Sequence, residues 1–174
     1  DVGNRCSSAE HTPTLTMMAQ QTLNRTNNAA LIKRDAAASA GSADLVWFRL
    51  GSKAVDSYNT IIEPAGVRGV VGKSFCWAHE TGTPGVAIGK IAAAEQDAER
   101  LDIGVQFDDA DPFAVECARK VRGGFITGAS GGFAPLKWEK RTVNGRDVLA
   151  YTETNLLEAS LVIAASNPDA QKLN

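Results

Sequence analysis

The chain has 174 residues, enough for one domain with a buried core. Lys and Arg number 18 against 20 Asp and Glu, a balance that offers no basic field for nucleic acid. No apolar run approaches the roughly 18 residues that cross a bilayer, and no secretory signal is evident in a chain that starts at Asp1 without Met. Cys6, Cys76 and Cys117 are odd in number and lack CxxC spacing, which fits free thiols in a reducing compartment. His11 and His79 are the two histidines.

Residues 1–41 are rich in Ala, Thr, Asn and Ser and read as a tail and linker. Thr12-Pro13 can open one short helix there, and His11 reads as a solvated tail residue. Residues 42–174 read as the packed domain. Leu45–Leu50 and Ile61–Pro64 are short extended runs, and Ser74–His79 is an aromatic strand ending at a polar turn. Val86–Ala93 and Leu101–Phe107 pair as a hairpin. In the second strand Leu101, Ile103, Val105 and Phe107 face one way, Asp102 and Gln106 the other.

A helix is expected over Pro112–Arg122. Asp111 is its N-cap, Ala114, Cys117, Ala118 and Val121 are its apolar face, and Gly123 is its stop. The stretch Gly123–Phe133 places Ser130 among glycines before a strand that runs to Lys140. By itself this is either a Gly-rich turn or a bare backbone that lets another chain reach Ser130. Asn144-Gly145 marks a two-residue hairpin, with Val148–Thr152 returning. The last strand is Asn155–Ala165. Strict alternation puts Leu157, Ala159, Leu161 and Ile163 on one face, and Leu156, Glu158, Ser160 and Val162 on the other. Glu158 is an acid inside an apolar strand, where Glu is depleted and a buried carboxylate needs a partner.

Serine needs a base to become a nucleophile, and His79 is the one histidine of residues 42–174. A histidine base needs a group that orients it, a role open to Glu158. Each residue also has a plain reading: a turn serine, a structural histidine, an edge-strand acid facing water. Cys76 lies three residues before His79, so on a strand the two point apart. The scattered Cys and His lack metal-ligand spacing, and no cofactor motif is present; Gly72-Lys73-Ser74 lacks the upstream Gly of a phosphate loop, since Val67 stands there.

Four segments in order resemble the prohead (capsid maturation) serine proteases of tailed phages. They are Phe75-Cys76-Trp77-Ala78-His79-Glu80, Val86–Ile91, Gly123–Phe133 with Ser130-Gly131-Gly132-Phe133, and Leu157–Val162 followed by Asn167-Pro168. The resemblance covers about residues 44–170. It implies an α+β, mainly β fold similar to the herpesvirus assembly proteases: a barrel-like antiparallel β core with flanking helices. It also implies His79 as general base, Ser130 as nucleophile and Glu158 as the third member. Backbone N–H groups of Ser130 and Gly131 are the expected oxyanion donors. Ala78 stands where the family often has Asn, Glu80 where Asp is usual, and Gly131 where a β-branched residue is usual.

The implied activity is a serine endopeptidase. Its implied substrates are the scaffold, the major capsid protein and its own ends, in the prohead interior within the host cytoplasm, with neither nucleic acid nor membrane as partner and a homo-oligomer open. Two rivals remain at this stage: an inert structural or scaffold component with the same fold, and an acyl hydrolase acting on small esters.

Overall fold

The computed structural model describes residues 45–173. The expected tail, linker and short helix of 1–41, with His11 and Cys6, lie outside those residues. The described part is mainly β: a curled, mixed half-barrel sheet with one short helix. Its strands are β1 (Val46–Ser52), β2 (Thr60–Ile62), β3 (Val67–Arg68), β4 (Ser74–Trp77), β5 (Ala87–Gln96), β6 (Arg100–Phe107), β7 (Gly128–Val143) and β8 (Arg146–Val162). The helix, α1, is Pro112–Arg122.

The spine of the sheet is β8. It pairs antiparallel with β7 along one edge, and in parallel with β2, β3 and β4 in succession along the other. From β4 the sheet continues through antiparallel pairs to β5, β6 and β1. The antiparallel core expected from the resemblance is therefore a mixed sheet. Alternation tells which residues share a face but carries no information on the direction of the neighbouring strand. The two expected runs 148–152 and 155–165 form one strand of 17 residues, since nothing between Thr152 and Asn155 breaks an extended chain. Residues 170–173 then lie between β1 and β7. Arg49 N–H donates to Gln171 O, and Lys172 N–H donates to Thr127 O.

Core side chains come from the expected positions of β6, where Leu101, Ile103 and Val105 are fully buried. Phe48 and Phe75 pack against each other with ring centroids 5.4 Å apart. Asp102, on the face of β6 opposite Leu101, Ile103 and Val105, is also buried, and Arg49 covers it with two hydrogen bonds of 2.9 and 3.3 Å. Helix α1 buries the four predicted residues. Asp111 accepts from Phe113 N–H at 2.9 Å. The helix ends in a Schellman arrangement, with Phe125 N–H donating to Lys120 O, Gly124 N–H to Val121 O, and Gly124 at φ +75°. Asn144 and Gly145 both have positive φ, as a type I′ hairpin turn requires.

One irregularity near the middle of β8 reassigns its faces. Gly132 pairs with Glu158 and Phe133 with Leu156, so Leu157 is the extra residue of a β-bulge. Beyond it the alternation flips. Leu156, expected beside Glu158, joins the core with Ala159 and Leu161, and Leu157 is exposed. Ile163, expected on the face of Ala159 and Leu161, lies past the end of the strand and is exposed.

Candidate active site

Two residues separate the end of β4 from the expected strand end. The strand stops at Trp77, and Trp77-Ala78-His79-Glu80 forms a tight turn in which Glu80 N–H donates to Trp77 O at 3.0 Å. Its two central residues, Ala78 and His79, have φ of 53° and 61°. Left-handed non-glycine backbone costs on the order of 1–3 kcal/mol per residue and persists where neighbours over-determine it. Here the neighbours are on β8: Ala78 N–H donates to Leu161 O at 3.0 Å and His79 N–H to Ser160 Oγ at 3.1 Å. The turn throws the His79 side chain off the strand end, 42% exposed.

Glu158 answers the question that its position in an apolar strand raises. It is buried, and its Oε1 lies 2.8 Å from His79 Nδ1. A carboxylate only accepts, so in this pair Nδ1 carries the proton, and Nε2 is the ring nitrogen left outside the Glu158 contact. The other oxygen, Oε2, accepts from Ser160 Oγ at 2.6 Å. Ser160 is fully buried. Alternation puts it on the face of Glu158 without indicating a role; the Glu-x-Ser spacing, which sets two polar side chains on one face of a strand, is the signal the sequence carries.

The β7–β8 register supplies the rest. Ser130 lies directly opposite Ser160, and Gly132 opposite Glu158, so Ser130, Ser160 and Glu158 share one face of the sheet. A Cβ on Gly132 would sit 2.5 Å from Glu158 Oε1; the missing side chain is the room the carboxylate occupies. A Cβ on Gly131 would lie 2.6 Å from the Phe133 ring, which excludes a β-branched residue there without moving that ring. The glycines around Ser130 thus make space for this chain's own side chains.

Ser130 and His79 line the same cavity, about 320 Å³, with Leu50, Ile62 and Phe133 among its apolar walls. Asp56, also on its wall, accepts from Tyr58 N–H, Thr60 N–H and Thr60 Oγ and so caps its own loop. Asn167 reaches the cavity too, and its amide is tied to Ser52 O and to Asp169 N–H. The ladder distinguishes the two expected oxyanion donors. Ala129 N–H donates to Ala170 O, away from β8; by alternation Ser130 N–H points into the β8 ladder and Gly131 N–H away from it.

Cys76, the rival nucleophile, is buried beside this centre. Burial first, and then the Glu158 charge, push its thiol above the usual range, so it stays protonated and unreactive at neutral pH.

No protein-family model, curated protein or solved structure matches the chain.

Proposed function

We propose that the chain is a serine endopeptidase of the prohead-maturation kind, with Ser130 as nucleophile, His79 as general base and Glu158 as the carboxylate that orients it. The observation that carries this reading is the 2.8 Å His79–Glu158 pair at the rim of the cavity that Ser130 lines. With Nδ1 held by Glu158, Nε2 is the nitrogen left to take the Ser130 proton as Oγ attacks a peptide carbonyl, and to return it to the leaving amine. Glu158 stabilises the imidazolium formed between those steps. Gly131 N–H, directed away from β8, is the backbone donor proposed for the oxyanion; Ser130 N–H is committed to the ladder.

The proposed fold relationship is to the herpesvirus assembly proteases, supported by the curled sheet whose outer strands β1 and β7 are bridged by residues 170–173. The proposed substrates are scaffold, major capsid protein and the enzyme's own ends, met inside the prohead in the host cytoplasm, by a monomer or homo-oligomer.

A fluorophosphonate probe and a capsid precursor test the assignment together. The native protein labels at Ser130 and cuts the precursor. Ser130→Ala does neither and keeps its melting temperature. Labelling or cleavage undiminished in Ser130→Ala refutes the nucleophile, and an unlabelled native protein points to the structural component instead. Turnover of small esters with no cleavage of capsid peptides points to the acyl hydrolase.

A further inference from the structure

We infer that Ser160 is a positioning residue of this centre, locking the carboxylate of Glu158 and the backbone of His79 into one geometry. The inference rests on the proposed function and adds a fourth side chain to it. Three hydrogen bonds close a ring that begins and ends on His79. The ring nitrogen Nδ1 binds Glu158 Oε1 at 2.8 Å. Glu158 Oε2 accepts from Ser160 Oγ at 2.6 Å. Ser160 Oγ accepts in turn from His79 N–H at 3.1 Å. A hydroxyl has one proton and two lone pairs, and here the proton and one lone pair are both used on the same catalytic pair.

The arrangement does two things that neither partner does alone. A glutamate carboxylate rotates broadly about its last torsion. Holding Oε2 fixes the plane of the carboxylate and so aims Oε1 at Nδ1. The His79 turn is left-handed at both central residues, and one of the bonds holding it to β8 is the one to Ser160. The hydroxyl therefore sets the distance between the base's backbone and the acid that orients its ring. The place of Ser160 in the sheet explains how it can. It sits opposite Ser130 on β7 and opposite Cys76 on β4, at the junction of the strands that carry the nucleophile and the base. It is fully buried, so water does not replace it.

Removing the hydrogen-bond partner that orients a metal-ligating side chain typically costs about 10- to 100-fold, and the same scale is the expectation for a partner that orients the carboxylate of Glu158. The test compares Ser160→Ala and Ser160→Cys with the native protein, in the full 174-residue chain. Cysteine keeps the shape and is a weak donor. The first readout is the rate at which a fluorophosphonate probe labels Ser130, resolved into a maximal rate and a half-saturating concentration. The maximal rate falls about 10- to 100-fold in both variants, with the half-saturating concentration unchanged and Ser160→Cys melting like the native protein. The second readout is the downfield NMR signal of the His79 Nδ1 proton. It is resolved in the native protein and broadened away in the variants.

A folded Ser160→Cys that labels at the native rate, or that keeps the sharp Nδ1 signal, overturns the positioning role while leaving the hydrolase reading intact. A native protein that the probe does not label at Ser130 overturns both. Should Ser160→Ala fail to fold, Ser160→Cys decides the matter alone.

Discussion

The substitution Gly132→Ala tests the geometry of the site with a single methyl group. The new Cβ would lie 2.5 Å from Glu158 Oε1, 3.4 Å from its Cδ and 3.5 Å from its Cγ. Carbon and oxygen approach no closer than about 3.3 Å without strain, so about 0.8 Å must be found. The flexible end of an unpartnered glutamate would supply it cheaply. This end is not free, because Oε1 is 2.8 Å from His79 Nδ1 and Oε2 is held by Ser160. A retreat of that size taken along the His79 bond would lengthen it from 2.8 Å to about 3.6 Å, beyond hydrogen-bonding range, and a sideways one would turn Oε1 out of the Ser160-held plane. The alternative, an outward shift of β7 at its irregular step, costs about 1–3 kcal/mol as overpacking.

Either route should lower the melting temperature by roughly 3–12 °C. It should also slow fluorophosphonate labelling of Ser130 by more than about 10-fold, toward the roughly 10⁴-fold loss that follows when a triad histidine loses its orienting carboxylate. Gly85→Ala is the control, since nothing lies within 4 Å of a Cβ there; it should change neither. A Gly132→Ala protein with native melting and native labelling would show that the carboxylate does not fill the space above Gly132.

Three further outcomes follow from the same structure. Ala78 is exposed and has φ 53°, a conformation that Asn adopts more readily than Ala. Ala78→Asn should therefore raise stability by about 0.5–1 kcal/mol in denaturant unfolding, and a loss would contradict the left-handed turn. Burial raises the thiols of Cys76 and Cys117 above their ordinary 9.0. The native protein then holds those protons when the unfolded chain has released them. Stability from these groups is full below pH 9.0 and declines as pH rises past it. Both cysteines should resist iodoacetamide at pH 8 until the chain unfolds, as read by peptide mass mapping, and rapid native alkylation at either would refute their burial.

Local chemistry was legible wherever one short stretch held all of it. The cap at Asp111, the four buried positions of α1 and the turn at Asn144-Gly145 depend on neighbours a few residues away and could be read directly, and so could the stop at Gly123 to within one residue, since Gly124 takes the left-handed conformation. Glu158 was legible as an anomaly, because a carboxylate among apolar residues demands a partner. Its partner was not, since His79 lies 79 positions away and only the pairing of β4 with β8 brings them together.

Alternation predicted the face of Glu158, and missed Leu156 and Leu157, because a bulge adds one residue and reverses every face beyond it. The glycines near Ser130 were visible as bare backbone. What needs that space is the Glu158 carboxylate and the Phe133 ring, which only the folded chain could reveal.

The candidate side chains, and the elements that carry most of them, are therefore readable from the order of the residues. Local sterics and capping act within a few residues and leave their mark in the order of the letters. Strand direction, the bulge, the His79 turn and the ring through Ser160 were decided by the tertiary structure. Each depends on hydrogen bonds between segments far apart in the chain, and the energy of such a bond belongs to the pairing and to neither segment alone.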